Sequence, residues 1–138
     1  MCFDYGTKRV GIAVTDNLKM IATGLCTLHP DKIDPYLQGY FKTEVVELFL
    51  IGLPKNLDNS LNDVERYIKG FIKKLKNSFP QIPVERIDER FTSAIAQQTM
   101  LQGGLKKTDR QDKALVDQIS ATLMLQQYLN QFSKNLNS

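Results

Sequence analysis

Asp4, Asp88, Glu89 and Asp117 are the side chains of this 138-residue sequence whose types and placement suit chemistry. The chain holds two cysteines, Cys2 and Cys26, and one histidine, His29. That inventory excludes a cysteine-based zinc site and a disulfide framework, and it leaves a single imidazole for any triad. His29 is followed by Pro30-Asp31 and has no supporting residues, so it reads as a loop residue. Carboxylates must carry the chemistry. Asp4 stands beside a glycine turn, Asp88-Glu89 closes a candidate strand, and Asp117 lies early in the last candidate helix.

Asp117 is the most informative of these. At 100° per residue, Asp117, Ala121, Met124 and Tyr128 stack along one stripe of a helix. An acidic residue heading an apolar stripe faces the protein body, where a carboxylate needs a cation, a hydrogen-bond donor or a metal. Carboxylates converging from strand ends and one helix suit Mg²⁺ or Mn²⁺, hard ions that take oxygen ligands and retain waters. Two such ions, roughly 4 Å apart, activate an attacking water and stabilise the leaving oxygen in phosphodiester hydrolysis. Each residue also has a structural alternative. Asp4 could cap a turn, Asp88 and Glu89 could pair with Arg86 or Arg90, and Asp117 could pair with Lys113 at i−4. Taken singly, those alternatives outweigh the chemical reading, because structural ion pairs are common.

The elements that must position these residues begin with strands. Met1–Asp4 forms only a short strand, and Tyr5-Gly6-Thr7-Lys8 supplies a turn. Lys8 to Asp16 alternates, with Val10, Ile12 and Val14 on one face and the small residues Gly11, Ala13 and Thr15 on the other. A sheet packed on both sides follows, its small-residue face admitting a helix closely. Met20 to Leu28 completes a meander. Asp34 is the expected N-cap of a helix with Pro35 at its first position, and Ile33, Tyr36, Leu37, Tyr40 and Phe41 recur at helical spacing. Val45 to Leu53, apolar on both faces, reads as a buried strand. Val64, Tyr67, Ile68, Phe71, Ile72 and Leu75 mark a second amphipathic helix with lysines on its other side. Ile82 to Glu89 is the next strand. Thr92 or Ser93 caps a helix that stops at Gly103-Gly104, and a last helix runs from Gln111 to about Phe132. The expected organisation is one domain over residues 1–132 with a frayed polar tail over 133–138. The order β-β-β-α-β-α-β-α-α favours an α/β fold with an antiparallel meander followed by parallel units.

Four segments occur in a specific order and spacing: Asp4-Tyr5-Gly6-Thr7-Lys8-Arg9-Val10-Gly11-Ile12-Ala13-Val14-Thr15-Asp16, Gly52-Leu53-Pro54, Asp88-Glu89-Arg90-Phe91-Thr92-Ser93 and Lys113-Ala114-Leu115-Val116-Asp117. Together they closely resemble the YqgF (RuvX-type) family of Holliday-junction resolvase-like proteins and pre-16S rRNA nucleases, over nearly the whole chain. The resemblance implies an RNase H-like fold, a five-stranded mixed sheet flanked by helices. It implies a divalent-metal nuclease whose acidic residues correspond to Asp4, the Asp88-Glu89 pair and Asp117, with Glu89 the first choice within the pair. It further implies trimming of the 5′ end of pre-16S rRNA on the small-subunit precursor, or resolution of branched DNA. Asn59-Ser60 stands where the family often has glycine, and asparagine supports the positive φ such a turn needs.

Lys8, Arg9, Arg90, Lys106, Lys107, Arg110 and Lys113 are expected to surround the acidic residues and hold a phosphate backbone, although for Lys106 and Lys107 taken individually a solvated basic loop is favoured. Tyr36, Tyr40, Phe41, Tyr67 and Phe71 have core spacing rather than base-stacking character, and Tyr5 is the exception because it adjoins Asp4. The net charge of +3 is compatible with a polyanion. No apolar run approaches the roughly 20 residues needed to cross a bilayer. With Asp4 this early, a secretory signal is not expected, so the expected location is the cytoplasm. Monomer and homodimer both remain open, because symmetric junction cleavage needs a two-fold dimer and end-trimming does not. Two other classes compete. One is a non-catalytic nucleic-acid-binding assembly factor on the same fold. The other is a phosphate-binding module of the actin, Hsp70 and sugar-kinase superfamily, which pairs two related domains where this length supplies one.

Overall fold

The alternation of small and bulky residues along Val10–Thr15 decides which helix lies on which face of the sheet. The computed structural model describes residues 1–54, 63–88 and 113–136, with side chains through 131. Strands β1 (Cys2–Tyr5), β2 (Val10–Thr15), β3 (Ala22–Leu28), β4 (Phe49–Leu53) and β5 (Val84–Asp88) form one five-stranded sheet in the order β3-β2-β1-β4-β5. The β1–β2 and β2–β3 pairs are antiparallel, and β1–β4 and β4–β5 are parallel. The meander-plus-parallel arrangement expected from the element order is the one observed. Short as it is, β1 is the central strand.

Helices α1 (Ile33–Tyr40) and α2 (Glu65–Ser78) cover one face and α3 (Lys113–Leu136) covers the other. Phe3, Val10, Ile12, Phe49 and Ile51 point to the α1/α2 face, where they pack with Ile33, Leu37, Ile68 and Phe71. Phe3 sits edge-on to Phe71 at 5.3 Å between ring centroids. Cys2, Ala13 and Leu50 point the opposite way, against Ala121, Met124 and Leu125 of α3.

The small-residue face brings α3 into near contact with the β2 backbone. A Cβ built on Gly11 would lie 2.1 Å from the Asp117 carbonyl oxygen and 2.8 Å from the Gln118 nitrogen, and one on Gly24 would lie 2.6 Å from Gln118 Nε2. Thr27 Oγ1 donates to the Ala114 carbonyl at 2.7 Å, fixing the first turn of α3 over β3. Further along, the Gln126 amide accepts from Ala22 N at 2.9 Å and donates to the Met20 carbonyl at 3.2 Å.

Several boundaries differ from expectation. The strand after α1 starts at Phe49, and Val45 is 90% exposed, because apolar character without a neighbouring strand does not make a ladder. β3 starts at Ala22, since Asp16 Oδ1 accepts from the Met20 and Ile21 amides and ties both into the hairpin end. A 3₁₀ turn over Pro30–Lys32, capped by His29, leads straight into α1, so Lys32 is the N-cap and Asp34 lies in the first turn. β5 starts at Val84, past Pro83. Tyr67 is 47% exposed beneath the Arg66 guanidinium rather than in the core. The last helix continues to Leu136, four residues into the stretch expected to be frayed, because Ser133-Lys134-Asn135-Leu136 contains no glycine or proline to stop it. The helix expected before Gly103-Gly104 and the Asn59-Ser60 turn lie outside the described residues.

The Gly11 contact yields a paired prediction. Gly11→Ala must push α3 outward or distort β2, an overpacking strain of roughly 1–3 kcal/mol. Gly70→Ala, in a helical position with nothing within 4 Å of the added carbon, should stabilise by roughly 0.5–1 kcal/mol. Urea unfolding of the two variants checks both signs; a Gly11→Ala protein as stable as wild type contradicts the packing.

Candidate active site

Register places Asp4 on the α3 face. Asp4 is the direct cross-strand partner of Gly11, and Gly11 in turn pairs with Thr27. Opposed residues share a face, so Asp4 projects where Gly11 has no side chain and where the Asp117 backbone comes down. The missing Cβ thus lets one turn of helix bring a second acidic residue beside the first.

Asp4 and Asp117 line the same open cavity, about 330 Å³ in volume. Residues 5–9 of the β1–β2 turn and Val64, just before α2, complete its wall. The turn is closed by Gly6 N donating to the Arg9 carbonyl at 2.8 Å. Lys8 is exposed on it, and Tyr5 leans away onto Phe71, with ring centroids 5.0 Å apart. Tyr5 is therefore part of the wall without a free ring face on that side.

Arg9 Nε donates to Asp117 Oδ2 at 2.9 Å, with side-chain exposures of 38% and 25%. The stripe reading required a cation, a hydrogen-bond donor or a metal for Asp117; Arg9 supplies the first two, where the structural alternative had named Lys113. Burial pushes the Asp117 carboxyl above its ordinary value, while the Arg9 hydrogen bond, the Arg9 charge and the Lys113 charge pull it back. The net direction is upward, so Asp117 is costly to ionise in the folded state.

Asp88 takes a different position. It pairs with Leu53, two residues after Arg86, and alternation puts both on the α2 face. Arg86 there meets Glu65, which is 4% exposed: Nη1 is 2.8 Å from Oε1, and Nη2 donates to Oε2 at 3.1 Å. Arg86 also donates to the Ile51 and Gly52 carbonyls at 3.3 and 2.9 Å. Asp88 is not part of the cavity lining, and among the described residues no three carboxylate, histidine or cysteine side chains gather as a metal cluster. Lys113 is exposed one helical turn before Asp117. Glu89, Arg90, Lys106, Lys107 and Arg110 lie outside the described residues. Sequence reasoning did not assign Thr7 or Val64 to the site and did not anticipate the Glu65–Arg86 pair; a lone glutamate at the start of an amphipathic helix carries no signal of burial.

The profile of the RuvX family, described as Holliday junction resolvase, matches residues 1–131. The chain belongs to the RuvX family. The fold is accordingly RNase H-like, and membership places the protein among hydrolases of nucleic-acid phosphodiester bonds. Similar chains include a candidate pre-16S rRNA nuclease of Christiangramia forsetii, 53% identical over 94% of this chain and 96% of that one. One from Bacteroides thetaiotaomicron, carrying the same name, is 51% identical over 94% of each chain. Another, from Flavobacterium johnsoniae, is 48% identical over 94% of each. No helix among the described residues is long and apolar enough to cross a membrane.

Two predictions follow from the ion pairs. A carboxyl whose folded pKa is raised favours folding fully below its unfolded value, and that benefit is lost as pH rises through the folded value. Asp117→Asn removes the loss, so the metal-free variant should melt no lower than wild type near neutral pH; a clear drop in melting temperature contradicts it. On the other face, Arg86→Met strands a buried carboxylate and should cost roughly 3 kcal/mol, the low end for such pairs because Arg86 stays 26% exposed. Adding Glu65→Leu should recover much of that loss in the same urea titration.

Proposed function

We propose that this chain is a divalent-metal endonuclease that processes the 5′ end of pre-16S rRNA, with Asp4, Asp117 and Glu89 as ligands of Mg²⁺ or Mn²⁺. The observation that carries it is the convergence of Asp4 and Asp117 on one cavity beside the basic turn. The donor set fits the metal. Mg²⁺ is commonly held by one or two carboxylates together with substrate phosphates and retained waters, and does not need an all-protein cage. When bound, the ion supplies a polarised phosphoryl oxygen and an activated water.

The chain's own residues do the rest. Asp4, carried by the central strand, and Asp117, carried by α3, offer carboxylate oxygens from two rigid elements. Lys8 and Arg9 give the turn its positive charge and hold the phosphate backbone without reading bases. Val64 contributes an apolar patch to the wall. Glu89 is the proposed third ligand because the family resemblance favours it within the pair and Asp88 belongs to the α2 face. Arg90, Lys106, Lys107, Arg110 and Lys113 are proposed to extend the basic track along the substrate. The reading takes residues 1–132 as the nuclease domain, a cytoplasmic setting and the small-subunit precursor as partner. The names carried by the relatives support the RNA substrate, and the family description supports branched DNA as the second reading.

Labelled pre-16S leader RNA, single-stranded RNA and four-way DNA junctions, incubated with Mg²⁺ or Mn²⁺ and with EDTA, separate the readings. Cleavage of the leader that needs metal is the expected result. Asp4→Asn and Asp117→Asn should each lower the rate by about 10²-fold or more, the scale of losing one electrostatic stabiliser of a transition state. Wild-type rates in both variants refute the site. Preferred cutting of junctions selects the resolvase reading, and tight binding without cleavage selects an assembly factor.

A further inference from the structure

Arg9 is bonded to one of the two carboxylates proposed to hold the metal. Its Nε donates to Asp117 Oδ2 at 2.9 Å, on a carboxylate three-quarters withdrawn from solvent. A guanidinium and a divalent ion within reach of the same oxygen repel one another. The β1–β2 turn holds the Arg9 backbone, and its side chain, bonded to Asp117, is 38% exposed at the cavity wall. The bond to Asp117 uses one of the five guanidinium donors, and the forked remainder matches phosphate oxygens. Lys8, the neighbour on the same turn, is exposed and adds charge that draws a polyanion to this spot.

We propose that Arg9 couples metal loading to substrate arrival. In the free protein its guanidinium is the counter-cation of Asp117. A nucleic-acid phosphate entering the cavity takes the guanidinium over, and Asp117 is released to the divalent ion. Each ligand therefore strengthens the other, because coupling between two sites is reciprocal. Arg9 acts through Asp117 and is in that respect a positioning residue; without substrate it opposes the ion, which keeps the metal-loaded site for moments when a phosphate is present. This inference rests on the metal-site reading above.

The test measures Mn²⁺ binding by the paramagnetic resonance of free Mn²⁺, independently of turnover. Wild-type protein is titrated alone and with saturating phosphorothioate leader RNA, whose integrity is checked on a gel afterwards. Wild type should bind Mn²⁺ more tightly with RNA present, by a factor in the usual coupling range of roughly 5- to 150-fold. Arg9→Gln should bind Mn²⁺ more tightly than wild type without RNA, and its RNA-dependent gain should fall toward unity. Arg9→Lys, which keeps the charge on a more compact group, should lie between the two and serves as the readout should the glutamine variant melt early. Unchanged Mn²⁺ affinity and unchanged coupling in the Arg9 variants, with Asp117→Asn abolishing Mn²⁺ binding, overturns the coupling and leaves the metal site standing. Weaker Mn²⁺ binding by Arg9→Gln in the absence of RNA also overturns it, since Arg9 would then support the ion. Full Mn²⁺ binding by Asp117→Asn removes the metal site itself and the coupling with it.

Discussion

The contact between the α3 backbone and Gly11 of β2 is the constraint on which the site depends. A helix packed against a sheet normally rides on side chains, about 10 Å from the strands it covers. Here one strand residue has no side chain, and the Asp117 carbonyl oxygen comes within 2.1 Å of where a Cβ would be. Because Asp4 is the register partner of that glycine, the same absence lowers the helix beside the central strand's carboxylate. Thr27, next in the row, ties the first turn of the helix down through its hydroxyl. Site geometry is thus a by-product of strand register and one missing atom, and it holds as long as α3 stays seated on Ala13, Leu50 and Cys2.

Two ion pairs, one on each face, serve different ends. Glu65, buried at the start of α2, is paired with Arg86, and Arg86 also donates to the Ile51 and Gly52 carbonyls at the end of β4. That pair joins helix to sheet and lies outside the cavity lining. Arg9 and Asp117 share an open wall, where a partly buried carboxylate stays costly to ionise despite its partner. A charged pair at the wall of a cavity is accessible to a ligand in a way that the Glu65–Arg86 pair is not. The first pair ties α2 to the sheet, and the second stands at the cavity wall.

Much of this was legible in the residues. Bulky Val10 and Ile12 against small Gly11 and Ala13 announced a sheet with a close helix on one side, and that side is where α3 packs. The stripe Asp117, Ala121, Met124 placed an acidic residue facing inward, and Ala121 and Met124 are fully buried. Strand limits were less legible. Val45 is apolar yet exposed, and Met20 and Ile21 belong to a hairpin end held by Asp16, because ladder membership depends on a neighbour that a one-dimensional pattern does not contain. Tyr67 kept helical spacing but fell outside the buried arc of α2.

The sequence by itself determined the periodicities, and with them the element order, the two-faced sheet and the family to which the chain belongs. It also determined the reaction's vocabulary, since a chain with one histidine and two cysteines leaves oxygen ligands to do the work. Only the tertiary structure decided the pairings. That Arg9 rather than Lys113 bonds to Asp117, that Arg86 turns to Glu65 rather than to Asp88, and that Asp88 lies across the sheet from Asp4 all follow from register and helix seating. Those choices join residues 21 to 108 positions apart. Local spacing sets which face a side chain takes, and long-range packing sets what it meets there.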